Sequence, residues 1–295
     1  MLHEAGNTIV ENEKQINGLN DLIEIVNFWE EQINPEPGKP PWIWYRGQPD
    51  AALDPIPGAL RPNFLEQADQ LFGSLPKHDR GLELERRIND EFRRRGCSCL
   101  GSESDLVRIY LMAQHYGLPT RLLDWTTNPL AALFFAVCDE KDKSGKLFVS
   151  KSNQFGDDYF PETQRDPNAV KAIKNLFGEG PPLDKPGIIP VLPDLLFPRM
   201  LQQASCFTLH TPGCENLDFE KQQLSGQTAP SSYEIPALQK EMIEPHLRRL
   251  GVHWSSLFPE LDYIAREICA VYGISKNQPI RESSRAKEVD PHDGR

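Results

Sequence analysis

Three short stretches of this 295-residue chain set charged or polar side chains among apolar ones, where a charge is tolerated only if it is paired or faces a site. The first is Arg46-Gly47-Gln48, directly after the aromatic run Trp42-Ile43-Trp44-Tyr45. A guanidinium stays ionised and offers five donors in a rigid fork, so Arg46 at a strand end suits a phosphate or a carboxylate. Pairing with a core acid such as Asp124 would satisfy it equally well. Gly47 lets a ligand or another backbone come close.

The second stretch runs from Gln114 to Thr126 and packs His115, Arg121 and Asp124 between two apolar segments. His115 falls near a helix C-terminus, where the dipole favours the imidazolium. Arg121 and Asp124, three apart in what reads as a loop, either brace the turn as a pair or face a site. The third stretch, Arg199-Met200-Leu201-Gln202-Gln203, enters a strand-like run. Its paired glutamines would read an amide or a ribose, or satisfy backbone groups. Arg46, His115, Arg121, Asp124 and Gln203 are together expected to line one cleft. Cys206, His210 and Cys214 have a metal-like spacing. On a strand, though, Cys206 and His210 sit ~13 Å apart, too far to grip one ion, so no metal is expected.

The elements that must position these residues follow from periodicity and punctuation. Residues 1–18 read as a loose arm, followed by a helix over 20–32 capped by Asn20, with Leu22, Ile25, Val26 and Trp29 as its stripe. A strand covers Trp42–Arg46, and 49–63 is loop. Helices are expected at 79–95, with Leu84, Ile88 and Phe92 inward, and at 103–116, with Ser102 and Asp105 as caps. Asn128-Pro129 opens a helix that is apolar on every side (Leu130–Cys138), hence the centre of the fold, with Ala132 and Phe135 buried. Strands follow at 146–150, 187–192 and 205–210, with a short helix at 168–177. A helix at 236–250 must bend at Pro245, and a last one at 257–272 turns Leu257, Leu261, Ile264, Ala265 and Ile268 inward. Residues 274–295 carry no pattern and read as a disordered tail. The whole is one α+β domain over 19–273, a mixed or antiparallel sheet around a buried central helix.

Bulk numbers exclude several classes. A net charge of −11 argues against broad binding to duplex nucleic acid, and Arg93-Arg94-Arg95 suits a helix C-terminus. No apolar run approaches a membrane span, and the N-terminus lacks a signal pattern. Six scattered cysteines suit free thiols in a reducing, cytoplasmic setting.

The blocks WYRGQ, LMAQHYGLPTRLLDWTTNPLAALFFAV, RMLQQASCFTLHTP and LFPELDYIAREI resemble the successive motifs of the FRG domain family. Tyr45 stands where the family name has Phe, and Ala204 where a Gly usually follows the glutamines. The resemblance implies a bacterial or phage setting. A second-order similarity links Tyr45-Arg46-Gly47 to the first motif of Arg-Ser-Glu ADP-ribosyltransferases, whose Arg contacts the phosphates of NAD. It implies Thr126 near the nicotinamide ribose, with Gln203 about where that family has its catalytic Glu. On this reading Arg46, Thr126, Gln203 and His115 would be catalytic, and Arg46, Gly47, Gln48, Arg121 and Asp124 would bind NAD as substrate. The expected function is an NAD-using toxin-like or anti-phage effector, with a protein or nucleic acid as acceptor. A non-catalytic module sensing a nucleotide or phage component is the alternative. A nuclease using His115, Asp124 and a divalent ion is the third.

Overall fold

The computed structural model describes residues 15–32, 43–151, 167–179, 187–212 and 230–274. Among these residues six strands form one sheet: β1 (Ile43–Gln48), β2 (Leu122–Thr126), β3 (Gly145–Lys151), β4 (Ile188–Val191), β5 (Ser205–His210) and β6 (Ser231–Ile235). The order is β4-β5-β2-β1-β3-β6 and every neighbouring pair is antiparallel. The ten α-helices of the described residues are α1 (Leu19–Glu31), α2 (Pro62–Leu71), α3 (Lys77–Leu100), α4 (Leu106–His115), α5 (Pro129–Val137), α6 (Pro167–Leu176), α7 (Pro198–Gln202), α8 (Ala237–Arg249), α9 (Trp254–Leu257) and α10 (Leu261–Val271). The protein is an α+β domain, as its sequence pattern implies.

The helix α5 is the keystone. Asn128 caps it by accepting from the Leu130 and Ala131 N–H groups, and Ala131–Phe134, Ala136 and Val137 are buried. Two glycines let it lie directly on the sheet. A Cβ at Gly47 would stand 1.7 Å from the Ala132 carbonyl oxygen, and one at Gly145 2.3 Å from that of Ala136. No side chain fits either gap. With α1 and α8, α5 covers β1, β3 and β6, where Tyr45, Val149, Ile235 and Leu247 share one core. The helices α4 and α6 cover the rest of the sheet through Tyr110, Leu111, Ile173, Leu122 and Phe207. Phe135 departs from the expected burial: it is half-buried and looks out between the two helix layers.

Several boundaries differ from the sequence reading. The segment around Asp124, loop-like in its sequence pattern, is the strand β2, and α2 and β6 arise where the pattern marks no element. Gly18, not Asn20, precedes α1, and Asp21 Oδ2 accepts from the Asn17 and Gly18 N–H groups. Ile16, assigned to a loose arm, is fully buried, and its N–H donates to the Glu234 carbonyl. The last helix is two, α9 and α10, and it is turned the other way: Leu261 is 80% exposed and Ile268 54%. Tyr263, Arg266 and Glu267 take the inner positions instead. Residues 1–14 and 275–295, and Cys214, lie outside the described residues. No helix among those described is long and apolar enough to cross a membrane.

Candidate functional site

Side chains alternate between the faces of a strand, and Tyr45 is the register partner of Thr126 while Asp124 is that of Phe207. Tyr45, Gly47, Asp124, Thr126 and Phe207 therefore share the helix-covered face. Between the layers carried by α4 and α5 that face is open, and these residues floor a cleft of about 550 Å³. Gln114 and His115 of α4 form one wall, and Phe135 and Cys138 of α5 the other. The far end is closed by Arg199, Gln203 and the α9–α10 segment.

Arg46 enters where the sheet parts. β1 and β2 pair only at Tyr45 and Thr126, and beyond that point Arg46 Nη1 donates to the Asp124 carbonyl at 2.7 Å. Arg46 Nε is buried and makes no hydrogen bond among the described residues. Burial lowers the guanidinium pKa, Asp124 raises it again and Arg61 lowers it further. Asp124 is exposed on the cleft floor, and its Oδ2 accepts from Gln114 Nε2 at 3.0 Å. Arg46 thus contacts the backbone of residue 124 rather than its carboxylate.

The far wall is a ladder of rings and guanidiniums. Arg266 lies over Trp254 at 4.2 Å, Trp254 stacks on Tyr263 at 5.7 Å, Tyr263 on Phe258 at 4.2 Å, and Arg199 caps Phe258 at 4.9 Å. Rings and guanidiniums stacked in this way hold one another in place and present an apolar wall to the cleft. Two ion pairs fix the ends, Arg199 to Glu260 at 2.8 Å and Arg266 to Asp139 at 3.7 Å. Gln203 Nε2 donates to the Leu257 carbonyl, tying α7 to α9. Behind this wall His253 Nδ1 and the Ser255 N–H both engage Glu267 Oε2, at 2.7 and 2.8 Å. Ser255 Oγ meets the same Nδ1 as Glu267 does, so the group is a cap on α9 and not a nucleophile–base relay.

Arg46, His115, Asp124 and Gln203 all line the cleft. Four expectations need correction. Arg121 is wholly buried, and its Nε donates to Glu85 Oε2 at 2.8 Å while Tyr110 donates to Glu85 Oε1 at 2.5 Å. It braces α3 against β2 and cannot reach a ligand. Gln48 is buried on the turn it leads into, donating to the carbonyls of Asp50 and Leu53. Gly47 is explained by the approach of α5, not of a ligand. His115 stacks on Phe197 at 3.8 Å and 8°, and burial together with Arg199 lowers its pKa, opposite to the direction the helix dipole favours.

Thr126 lines the cleft, but its hydroxyl donates to the Gln203 carbonyl at 2.6 Å and accepts from the Asn128 N–H. Burial pushes the Cys138 thiol up, which disfavours a thiolate in the cleft. Among the described residues no group of three or more His, Cys, Asp or Glu is placed to hold a metal ion. The aromatic ladder went unforeseen. The signal for it was the run Trp254, Phe258, Tyr263, Arg266, which enters the fourth motif block from just before it and has ring and cation at intervals of four, five and three.

The FRG domain family model matches residues 42–145, about a third of the chain, from the start of β1 to the start of β3. No curated protein and no solved structure shows a significant match to the chain.

Proposed function

We propose, from the premise that this chain carries an FRG domain, that its cleft is a nucleotide site with NAD as substrate. The observation that carries this is Arg46, a half-buried guanidinium at the cleft floor with a buried Nε left without a partner among the described residues. A pyrophosphate would supply the missing acceptors bidentately. The Trp254–Tyr263–Phe258 ladder, covered at its ends by Arg266 and Arg199, offers a planar base an apolar wall, and about 550 Å³ is in the range of cofactor pockets. The exposed Asp124 carboxylate, fixed by Gln114, is the anion available to stabilise an oxocarbenium-like ribose, a role the Gln203 amide lacks the charge to fill. Cleavage or transfer of the ADP-ribosyl group would make the protein a toxin-like or anti-phage effector, with the acceptor, a protein or nucleic acid, arriving at the open side.

A second reading is favoured by one observation. Thr126 and Gln203 spend their polar atoms on the fold, as in a module that senses a nucleotide without turning it over. Purified protein incubated with NAD separates the two: depletion means catalysis, calorimetric binding without depletion means sensing. Arg46→Lys keeps the charge but loses the fork, so NAD affinity should fall roughly 10–100-fold at an unchanged melting temperature. A folded Arg46→Ala protein that binds NAD as wild type does would refute both readings.

A further inference from the structure

A second cavity of about 510 Å³ lies on the other side of the Gln114–Asp124 hydrogen bond. The two cavities share those two residues as a common wall, and Asp124 is exposed to solvent at its crest. The second cavity is built from the Gly117–Pro119 turn after α4 and from α2, with Arg61, Phe64 and Gln67 among its lining. The turn is the part of the second motif block that the first cavity leaves without a role.

Arg46 lines the first cavity and Arg61 the second, one on either side of this ridge, and the charge of Arg61 is near enough to act on Arg46. Arg61 commits its Nε to the Ile56 carbonyl at 3.2 Å and Arg46 one Nη1 to that of Asp124. The rest of both forks is uncommitted among the described residues. The Asp124 carboxylate on the crest offsets part of the repulsion between them, and a ligand anion reached by both free forks would offset more. Phe64 and Leu84 give the second cavity an apolar side and Asn63 and Gln67 a polar one, the mixture that suits a ribose with its base.

We propose that the two cavities form one elongated site for a dinucleotide. Its pyrophosphate lies over the Gln114–Asp124 ridge between Arg46 and Arg61, one nucleoside against the aromatic ladder and the other in the cavity beside α2. This rests on the nucleotide reading above and adds that a mononucleotide fills only half the site. The adenosine half lies against the ladder and the nicotinamide riboside in the second cavity, so Asp124, in the shared ridge, stands next to the ribose whose bond to the base would break.

The test is calorimetry of the full chain with NAD and with AMP, on wild type, Arg61→Ala and Gln67→Trp. Both changed residues are exposed, and thermal melts confirm the fold. NAD affinity should fall about tenfold or more in each variant, the worth of one charge-assisted contact or one blocked subsite, while AMP binds unchanged. NAD binding unaffected by both substitutions overturns the second subsite and leaves the first cavity standing. A parallel loss of AMP affinity also overturns it, because the two cavities would then be one undivided pocket. Wild-type protein that binds neither ligand removes the nucleotide reading itself.

Discussion

Arg121→Met is the sharpest test of how the fold and the site divide their charges. In the wild type the Glu85 carboxylate is fully buried and holds two donors, Arg121 Nε at 2.8 Å and the Tyr110 hydroxyl at 2.5 Å. Methionine fills the space of the aliphatic stem but leaves Glu85 with Tyr110 alone. Removing one partner of a buried ion pair costs about 3–5 kcal/mol, most of it the uncompensated charge that stays behind. Each kcal/mol moves the midpoint of a domain this size by about 2–4 °C, so a fall of roughly 6–20 °C is expected in a thermal melt. Adding Glu85→Leu should restore most of the loss, since no orphan charge remains and an apolar replacement of a buried pair is often neutral. NAD binding of whatever remains folded should be unchanged, because neither residue reaches the cleft. A single variant that keeps its melting temperature yet loses ligand affinity would refute this assignment and return Arg121 to the site.

Gly47→Ala should fold poorly or not at all, since its Cβ would overlap a backbone oxygen at 1.7 Å. The loss should exceed the 1–3 kcal/mol usual for overpacking, read as soluble yield and melting temperature. Ala204 has φ 45°, a left-handed conformation that favours glycine. Ala204→Gly relieves about 1–2 kcal/mol of strain against about 0.4–1 kcal/mol of added unfolded-state entropy, so a small rise in melting temperature is expected. His210 is buried, and desolvation with Arg121 and Arg46 lowers its pKa to about 3. Below pH 6.5 the unfolded chain binds the proton that the native state refuses. Stability should therefore fall as pH drops from about 6.5 toward 3, by up to about 1.4 kcal/mol per pH unit, and His210→Gln should flatten that slope. A slope unchanged in the variant would assign the acid sensitivity elsewhere.

Elements with strong local punctuation were legible in the sequence. Asn128-Pro129 set the start of α5, Asp105 that of α4, and the aromatic run gave β1, because cap and strand chemistry act within a few residues. β2 was hidden because Leu122-Leu-Asp-Trp-Thr126 interrupts a strand pattern with a carboxylate, and only the cleft explains why that Asp is tolerated there. β6 escaped because Ser231-Ser232-Tyr233-Glu234-Ile235 is a polar edge strand, with Glu234 exposed. α10 was read inside out, since periodicity finds the apolar stripe and assumes that it faces the core. Here the ring and charge stripe faces inward. Among site residues, Arg46 and Asp124 stood out by chemistry in apolar company. Arg121 stood out for the same reason and is structural, because its partner Glu85 lies 36 positions earlier in a helix full of charges, where nothing local marks it as buried.

The wall formed by α9 and α10 differs in kind from the rest of the cleft. The floor and the α5 wall are anchored in the sheet core, whereas within α9 only Leu257 is buried. The wall is otherwise held by guanidinium pairs, ring contacts and the Gln203 amide. Bonds of that sort, near water, set a low free energy for local opening. Backbone amides of α9 and α10 should therefore exchange with deuterium well before those of β1 or α5. A base held against this wall would draw part of its affinity from this segment, so occupancy would slow that exchange more than 200 residues away in sequence from Arg46. On the proposed nucleotide reading, occupancy would then be legible in the order of α9 and α10.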